Sequence, residues 1–153
     1  AYYYEPFELP GRRMNASRGW EIYPRIIYDM AMRIKQDYRN IDWFVAESGM
    51  GVENEAQFRN SDGIIEDSYR IDFISEHLYY TLLAREEGAN CHGYMLWAFT
   101  DNVSPMNAFK NRYGLIEIDL NDNRARRAKK SAAWFRQLRD ARELTLTVDD
   151  EWK

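Results

Sequence analysis

The sequence contains very little of what metal sites and disulfide frameworks require. Its 153 residues include a single cysteine, Cys91, and two histidines, His77 and His92. A lone cysteine forms neither an intramolecular disulfide nor a thiolate zinc site, and the two histidines are well separated along the chain. We therefore expect no disulfide, no metal site and no cofactor.

Long apolar runs and targeting segments are also missing. No stretch approaches the roughly 18 consecutive apolar residues that span a membrane, and no signal peptide precedes the first residues. We expect no membrane partner and a reducing, cytoplasmic location. The chain also has no initiator methionine and opens directly on "AYYYEPFEL", which is typical of a strand. This favours a piece of a larger protein.

An excess of positive charge is absent as well, since the formal net charge is −4. This composition gives no reason to expect a nucleic-acid partner. Basic residues do cluster between positions 124 and 130, but acidic residues flank them. We interpret the run as a solvent-exposed approach to a helix rather than a phosphate or nucleic-acid site.

Aromatic residues, in contrast, are plentiful. They make up 15% of the chain, with 5 Trp and 11 Tyr, and the hydrophobic content of 45% is enough for a core. Aromatic rings fill cores, but their flat apolar faces also line sugar-binding clefts. Composition alone leaves both interpretations open.

Strands and helices are predicted to alternate along the chain. Apolar periodicity indicates helices, and short runs of β-formers indicate strands. The predicted order is β-α-β-α-β-(β)-α, with strands at 1–7, 41–48 and within 90–102, a hairpin arm at 111–120, and helices at 25–38, 64–87 and 129–144. Such alternation predicts an α/β fold with parallel strands. A complete (β/α)8 barrel takes about 250 residues, so the chain is either a small open α/β domain or the last three units of a barrel.

Three elaborate polar loops follow the carboxyl ends of the predicted strands, after Phe7, Glu47 and Trp97. The carboxyl ends of parallel strands share one face, where barrel enzymes build their active sites. Glu47 lies in "FVAESGMG", at the end of an apolar run that is predicted to be a buried strand. This carboxylate is either half of a structural salt bridge or a catalytic group; Trp97 is either core filling or a platform for a sugar ring.

Several ordered motifs resemble the C-terminal third of the family 1 glycoside hydrolases: "FVAESGMG", "DSYRIDFISEHL", "GYMLWAFTDN", "NRYGLIEIDL" and "KKSAAW". The resemblance implies that residues 1–153 are the C-terminal part of one (β/α)8 domain, strands 6–8 of the barrel. It implies that Glu47 is the nucleophile, that Trp97 lies in the sugar subsite, and that Tyr4 contacts the nucleophile.

The segment after Asn102 departs from the ordinary members of that family. They carry Glu-Trp where this chain has Ser104 and Pro105. Together with Lys110 and Tyr113, Ser104 resembles the phosphate site of the 6-phospho-β-glucosidases and 6-phospho-β-galactosidases. The family's lysine usually lies two residues before the tyrosine, where this chain has Asn111, and a solvated loop lysine is the alternative for Lys110. The implied substrate is a 6-phosphorylated β-glucoside, either a disaccharide or an aryl glucoside.

The resemblance also implies a missing partner segment. The family's acid/base glutamate lies in an "NEP" motif upstream of the matching region, and this sequence contains no "NEP". We therefore expect a retaining glycosidase part that needs the remaining N-terminal part of the barrel and is inactive alone. The alternative is a non-catalytic barrel fragment that acts as a binding or structural module.

Overall fold

The computed structural model describes residues 10–144 and residue 146. Its helices are α1 (Ile26–Asp37), α2 (Ser68–Glu86) and α3 (Lys130–Ala141), with a short 3-10 helix at Glu55–Phe58. Its strands are β1 (Met14–Asn15), β2 (Trp20–Glu21), β3 (Trp43–Ser48), β4 (Val52–Glu53), β5 (Cys91–Leu96), β6 (Asn111–Arg112), β7 (Ile116–Asp119) and β8 (Ala125–Ala128). The predicted strand at 1–7 lies outside the described residues, as does Tyr4.

A parallel pair of strands, β3 and β5, forms the centre of the described fold. Trp43 is opposite Cys91 and Ser48 is opposite Leu96, and α2 connects the two strands in sequence. Parallel neighbours require such a crossover connection. The α/β unit predicted from the alternation of elements is therefore present.

The helices cover one face of this strand pair. Helix α1 packs on α2, and α2 contacts α3 and β5. The small residues Ala31, Ala84 and Ala89 are buried where the elements meet, and Trp43 packs against them. Small side chains let the helices approach each other and the strands closely. No helix among the described residues is long and apolar enough to cross a membrane.

The opposite face of the strand pair is open. Phe44 of β3 is 56% exposed and Met95 of β5 is 52% exposed. The prediction that the run at 41–48 is a buried strand is wrong for one of its two faces. A continuous apolar run is typical of a strand covered on both sides, but the described residues cover only the helix side. This leaves an apolar surface that a further part of a barrel could cover.

The remaining strands form short antiparallel pairs. Strands β7 and β8 form the hairpin that the alternating segment 111–120 predicted, with the turn at 120–124. Strands β4 and β6 pair across two of the loops. Strands β1 and β2 form a small hairpin inside the first polar loop, which the sequence analysis treated as irregular. Two-residue strands are too short to produce a periodic signal.

Two helix predictions need correction. Helix α2 begins at Ser68 rather than at residue 64, because Ile65 forms a β-bridge with Arg59 instead. In α1 the helical spacing of Ile26, Ile27 and Met30 predicts that they share one buried face. The buried side chains are instead Ile27 and Ala31, and Met30 is 45% exposed. Apolar residues also lie on the exposed side of α1, so the sequence pattern does not show which face of the helix is buried.

The interpretation of the basic run is also wrong in part. Its middle forms strand β8, and its last-but-one residue, Lys129, is fully buried. The Lys129 Nζ atom lies 2.5 Å from Glu55 Oε2 and 2.9 Å from Asp101 Oδ1. Lysine is almost never fully buried unless it is paired. Its partners, distant in sequence, could not be recognised from the charge pattern.

Candidate active site

Glu47 and Trp97 lie side by side at the carboxyl edge of the parallel strands. Glu47 is the penultimate residue of β3, and Trp97 directly follows β5. The backbone N–H of Trp97 donates a hydrogen bond of 2.8 Å to the Ser48 carbonyl. Both side chains are accessible, and Trp97 is joined to Ala98 by a cis peptide bond. The strand ends thus place a carboxylate next to an indole, as the loop positions predicted.

Glycines after Glu47 allow neighbouring segments to approach closely. A Cβ atom at Gly49 would lie 1.6 Å from the Trp97 carbonyl oxygen, and one at Gly51 would lie 2.4 Å from the Tyr113 ring. A larger residue at Gly49 would require a backbone shift, and one at Gly51 would require the Tyr113 ring to move. The glycines in "ESGMG" therefore set the separation between the Glu47 segment and the segments that carry Trp97 and Tyr113.

These segments surround a cleft of about 560 Å³. Four of the expected site residues line it together: Glu47, Trp97, Ser104 and Tyr113. The other lining residues are Arg18, Trp20, Ser48, Gly49, Asn102, Val103 and Pro105. Within the described chain, Glu47 is the one carboxylate that lines this cleft. A mostly apolar and aromatic cleft with a few polar groups is typical of a small-molecule site.

Two expected site residues are not found in the cleft. Tyr4 lies outside the described residues, so its contact with Glu47 stays a prediction. Lys110 forms an ion pair of 3.1 Å with Glu53, its side chain is 64% exposed, and it is not among the lining residues. Its role in phosphate binding likewise stays a prediction. An exposed ion pair is worth only about 0.2–1 kcal/mol, so this contact leaves the ammonium group easy to redirect.

Sequence reasoning missed Arg18 and Trp20, which come from the β1–β2 hairpin. The guanidinium carbon of Arg18 lies 4.2 Å from the centre of the Trp20 ring. A cation over an indole face is a favourable arrangement. The only signal in the sequence was an arginine and a tryptophan in a loop after a predicted strand, a pattern too common to be specific.

A buried ionic cluster, which we define as Glu55, Asp67, Arg70, Asp101 and Lys129, contacts the backbone of Tyr113, a residue that lines the cleft. Arg70 donates to Asp67 Oδ2 at 2.9 Å and forms a second ion pair with Glu55. Lys129 connects Glu55 to Asp101. Each charged group therefore has an opposite charge in contact, which is the condition for burying it.

This ionic cluster also holds the backbone of the site loops. Arg70 Nη1 donates to the carbonyls of Met50 and Tyr113, the latter at 3.2 Å. Asp101 Oδ1 accepts a hydrogen bond of 2.9 Å from the Gly114 N–H. The cluster thereby connects the segment after Glu47 to the segment that carries Tyr113. Sequence analysis did not identify this role, because no sequence pattern distinguishes Arg70 and Glu55 from surface charges.

Tyrosines near the strands and the cluster are held in their neutral form. Burial raises the pKa of the Tyr94 hydroxyl, on β5, to about 12. Burial and the adjacent Glu55 carboxylate also raise the pKa of Tyr69, whose hydroxyl donates to Glu55 Oε1 at 2.7 Å. Across the part of the chain that the structure describes, no three His, Cys, Asp or Glu side chains are grouped as metal ligands. The chemistry available in the cleft is that of a carboxylate, an arginine, hydroxyls and aromatic rings.

Comparison with protein families decides where this arrangement belongs. The model of glycosyl hydrolase family 1 matches residues 10–144, nearly all of the described chain. The chain belongs to glycosyl hydrolase family 1. Its relatives include the 6-phospho-beta-glucosidase GmuD of Bacillus subtilis, 49% identical over 136 residues, which are 89% of this chain and 29% of GmuD. A 6-phospho-beta-galactosidase of Clostridium acetobutylicum is 39% identical over 87% of this chain and 27% of its own length.

Solved structures agree with this family 1 membership. A family 1 β-glucosidase from Thermotoga maritima superposes with a TM-score of 0.82 at 26% identity, over 92% of this chain and 31% of that enzyme. The chain therefore spans less than a third of the relatives it matches. Its fold is consistent with part of a TIM barrel, and the resemblance to family 1 predicted from the motifs is confirmed.

Proposed function

We propose that the chain is the C-terminal part of a retaining β-glycosidase that hydrolyses 6-phospho-β-glucosides, and that it supplies the nucleophile and the phosphosugar subsite. The carrying observation is the single cleft in which Glu47 meets Trp97, Ser104 and Tyr113. The names of GmuD and of the Clostridium relative support the phosphorylated substrate class.

In the proposed reaction Glu47 attacks the anomeric carbon of the sugar. The bond to the aglycone breaks while a second carboxylic acid protonates the departing oxygen, which leaves a covalent glycosyl ester on Glu47. Water, deprotonated by the same second carboxylate, then attacks the anomeric carbon and releases Glu47. Trp97 provides the flat apolar face on which the sugar ring stacks.

The second carboxyl group has to come from another part of the barrel. Retaining enzymes hold the two carboxyl groups about 5–5.5 Å apart, and no second carboxylate of the described chain lines the cleft. We propose that β3 and β5 correspond to strands 7 and 8 of a barrel. Its remaining N-terminal part would cover the apolar face at Phe44 and Met95. The cytoplasmic location expected from composition stays a prediction.

The phosphate subsite is proposed around Ser104 and Tyr113. Both side chains carry a hydroxyl donor and line the cleft, and neither brings a negative charge that would repel a dianion. Lys110 would join them by leaving its ion pair with Glu53. Hydrogen bonds from donors to a charged acceptor are worth about 1.5–3 kcal/mol each, enough to select phosphorylated over plain glucosides.

The alternative is a non-catalytic module, and one observation favours it. Glu47 is the single carboxylate lining the cleft among the described residues, so these residues do not complete the two-carboxylate machinery. The glycosidase proposal predicts that a barrel completed by a second segment hydrolyses the substrate. The non-catalytic alternative predicts that it does not.

The pure 153-residue chain is expected to show no hydrolysis of 6-phospho-β-glucosides. Without a proton donor the aglycone leaves poorly, and general acid catalysis alone contributes about 10²–10⁴-fold. The measurement is release of nitrophenol from 4-nitrophenyl β-glucoside 6-phosphate, with and without a separately produced N-terminal part of GmuD. Turnover by the chain alone that disappears in Glu47→Gln would contradict this expectation. Turnover only after the N-terminal part is added excludes the non-catalytic alternative.

A complete barrel is needed for quantitative tests. We define the composite enzyme as GmuD in which residues 10–144 of this chain replace the matching segment. It is expected to prefer 4-nitrophenyl β-glucoside 6-phosphate over the unphosphorylated glucoside. Replacing Ser104 by Glu in the composite enzyme should lower kcat/KM for the phosphorylated substrate by about a hundredfold, because the new carboxylate repels phosphate.

The control for the Ser104 substitution is Ser104→Gln. Glutamine has nearly the size of glutamate but no charge, so it separates repulsion from steric blocking. We expect Ser104→Gln to retain the preference for the phosphorylated substrate and Ser104→Glu to lose it. Equal losses in the two variants, or equal losses on both substrates, would remove Ser104 from the phosphate subsite.

A further inference from the structure

The cleft contains a cation that no described carboxylate neutralises. Arg18 lines the cleft together with Glu47 and Ser104. Its guanidinium group lies over the Trp20 ring, and its Nε atom is buried without a hydrogen-bond partner. By contrast, Arg59 is paired with Glu117 and Arg127 with Asp119. A buried donor without a partner is costly, unless a ligand supplies the acceptor.

Hydrogen bonds that involve the side chains of Asn15 and Ser17 fix the loop that carries Arg18. Asn15 donates from Nδ2 to the Gly51 carbonyl at 3.0 Å and accepts from the Ser17 N–H at 3.1 Å. The Ser17 hydroxyl accepts a hydrogen bond of 3.0 Å from the Glu53 N–H. Arg18 therefore extends from a loop that is fixed against the segment following Glu47. A side chain placed in advance loses less entropy on binding than a freely moving one.

The segment before Tyr113 offers no cation in the same place. Asn111 is buried, and its Nδ2 atom points to the Ser17 carbonyl at 3.5 Å. Lys110 points away from the cleft, to Glu53. Arg112 lies against Asp101 and donates to the Ile118 carbonyl at 3.1 Å. Of these basic side chains, Arg18 is the one that already lines the cleft.

We propose that Arg18 binds the phosphate group of the substrate and is a specificity-determining residue of this cleft. The inference rests on the proposed function and goes beyond the Ser104, Lys110 and Tyr113 set. A dianionic phosphate placed near Glu47 needs a neighbouring positive charge. The planar guanidinium group presents paired donors that match phosphate oxygens.

The test uses Arg18→Met and Arg18→Lys in the composite enzyme, with Arg33→Met as the matched control. Arg33 is exposed on α1, where it pairs with Asp37 away from the cleft. The readouts are kcat and KM for 4-nitrophenyl β-glucoside with and without the 6-phosphate, and thermal melting to verify folding. We expect Arg18→Met to lower kcat/KM for the phosphorylated substrate by about ten- to a hundredfold, mainly through KM. Arg18→Lys should retain part of the preference, and Arg33→Met all of it.

Three results decide the proposal. A loss confined to the phosphorylated substrate supports it. An equal loss of kcat/KM on both substrates overturns it, because Arg18 then supports Glu47 or the loop structure and does not bind the phosphate. If the unsubstituted composite enzyme does not prefer the phosphorylated substrate, the proposed function fails, and the Arg18 inference fails with it.

Discussion

Replacing Glu47 by Gly in the composite enzyme is expected to abolish turnover of 4-nitrophenyl β-glucoside 6-phosphate, with a loss of several powers of ten in kcat. Glycine removes the oxygen that forms the glycosyl ester, and loss of a catalytic nucleophile has cost about 10⁶-fold in a well-studied hydrolase. Glu47 is exposed at the edge of β3, so its removal should leave folding intact. The measurement is single-turnover and steady-state kinetics.

A small external anion should partly rescue Glu47→Gly. The space left by the side chain admits azide or formate, which can attack the anomeric carbon on the same face as the missing carboxylate. The product with azide is then the α-glycosyl azide 6-phosphate, the opposite anomer to the substrate. The control is Glu86→Gln, an exposed carboxylate at the end of α2; it should behave like the parent. Full activity of Glu47→Gly, or rescue with the β-configured product, would exclude Glu47 as the nucleophile.

Replacing Arg70 by Met is expected to destabilise the protein by about 3–5 kcal/mol. Arg70 is 1% exposed, and its removal leaves Asp67 without its ion-pair partner and Glu55 with Lys129 as its one remaining partner among the described residues. It also leaves the carbonyls of Met50 and Tyr113 without this donor. Burying an uncompensated charge is among the costliest effects of a single substitution.

The same substitution should also lower kcat/KM on phosphorylated and plain substrates alike. Arg70 lies outside the cleft, but it connects the segment after Glu47 to the segment of Tyr113, so both loops lose their fixed separation. Stability is measured by denaturant titration of the composite enzyme followed by two spectroscopic probes. The control is Arg139→Met, whose exposed side chain pairs, among the described residues, only with its neighbour Asp140; surface changes of this kind stay within about 0.5 kcal/mol. Equal stabilities of the two variants would show that the ionic cluster does not support the fold.

The sequence predicted the positions of Glu47 and Trp97 at strand ends because these signals are local. Glu47 and Trp97 each end a run of β-forming residues, and parallel strands bring such ends to one face. The ordered motifs then predicted the family, which the match to residues 10–144 confirms. The β7–β8 hairpin was recognisable for the same reason, since alternation and an "NDN" turn lie within a few residues of each other.

The parts that sequence missed depend on contacts between distant residues. The contact of Lys129 with Glu55 joins positions 74 apart, and no charge pattern distinguishes such a pair from two solvated side chains. The contacts of Asn15 and Ser17 with the next loop position Arg18 at the cleft. These contacts produce no periodic pattern in the sequence. The exposure of Phe44 was missed for another reason: an apolar strand is predicted to be buried whether or not both of its faces are covered.

The most direct test of the central claim is to identify the residue that carries the sugar during the reaction. The composite enzyme is incubated with 2,4-dinitrophenyl 2-deoxy-2-fluoro-β-glucoside 6-phosphate, whose fluorine slows hydrolysis of the glycosyl ester, and its peptides are mapped by mass spectrometry. The account predicts one fluorosugar phosphate per molecule, attached to Glu47, and no labelling of Glu47→Gln. A label on another residue, or labelling by the unphosphorylated reagent alone, would contradict it.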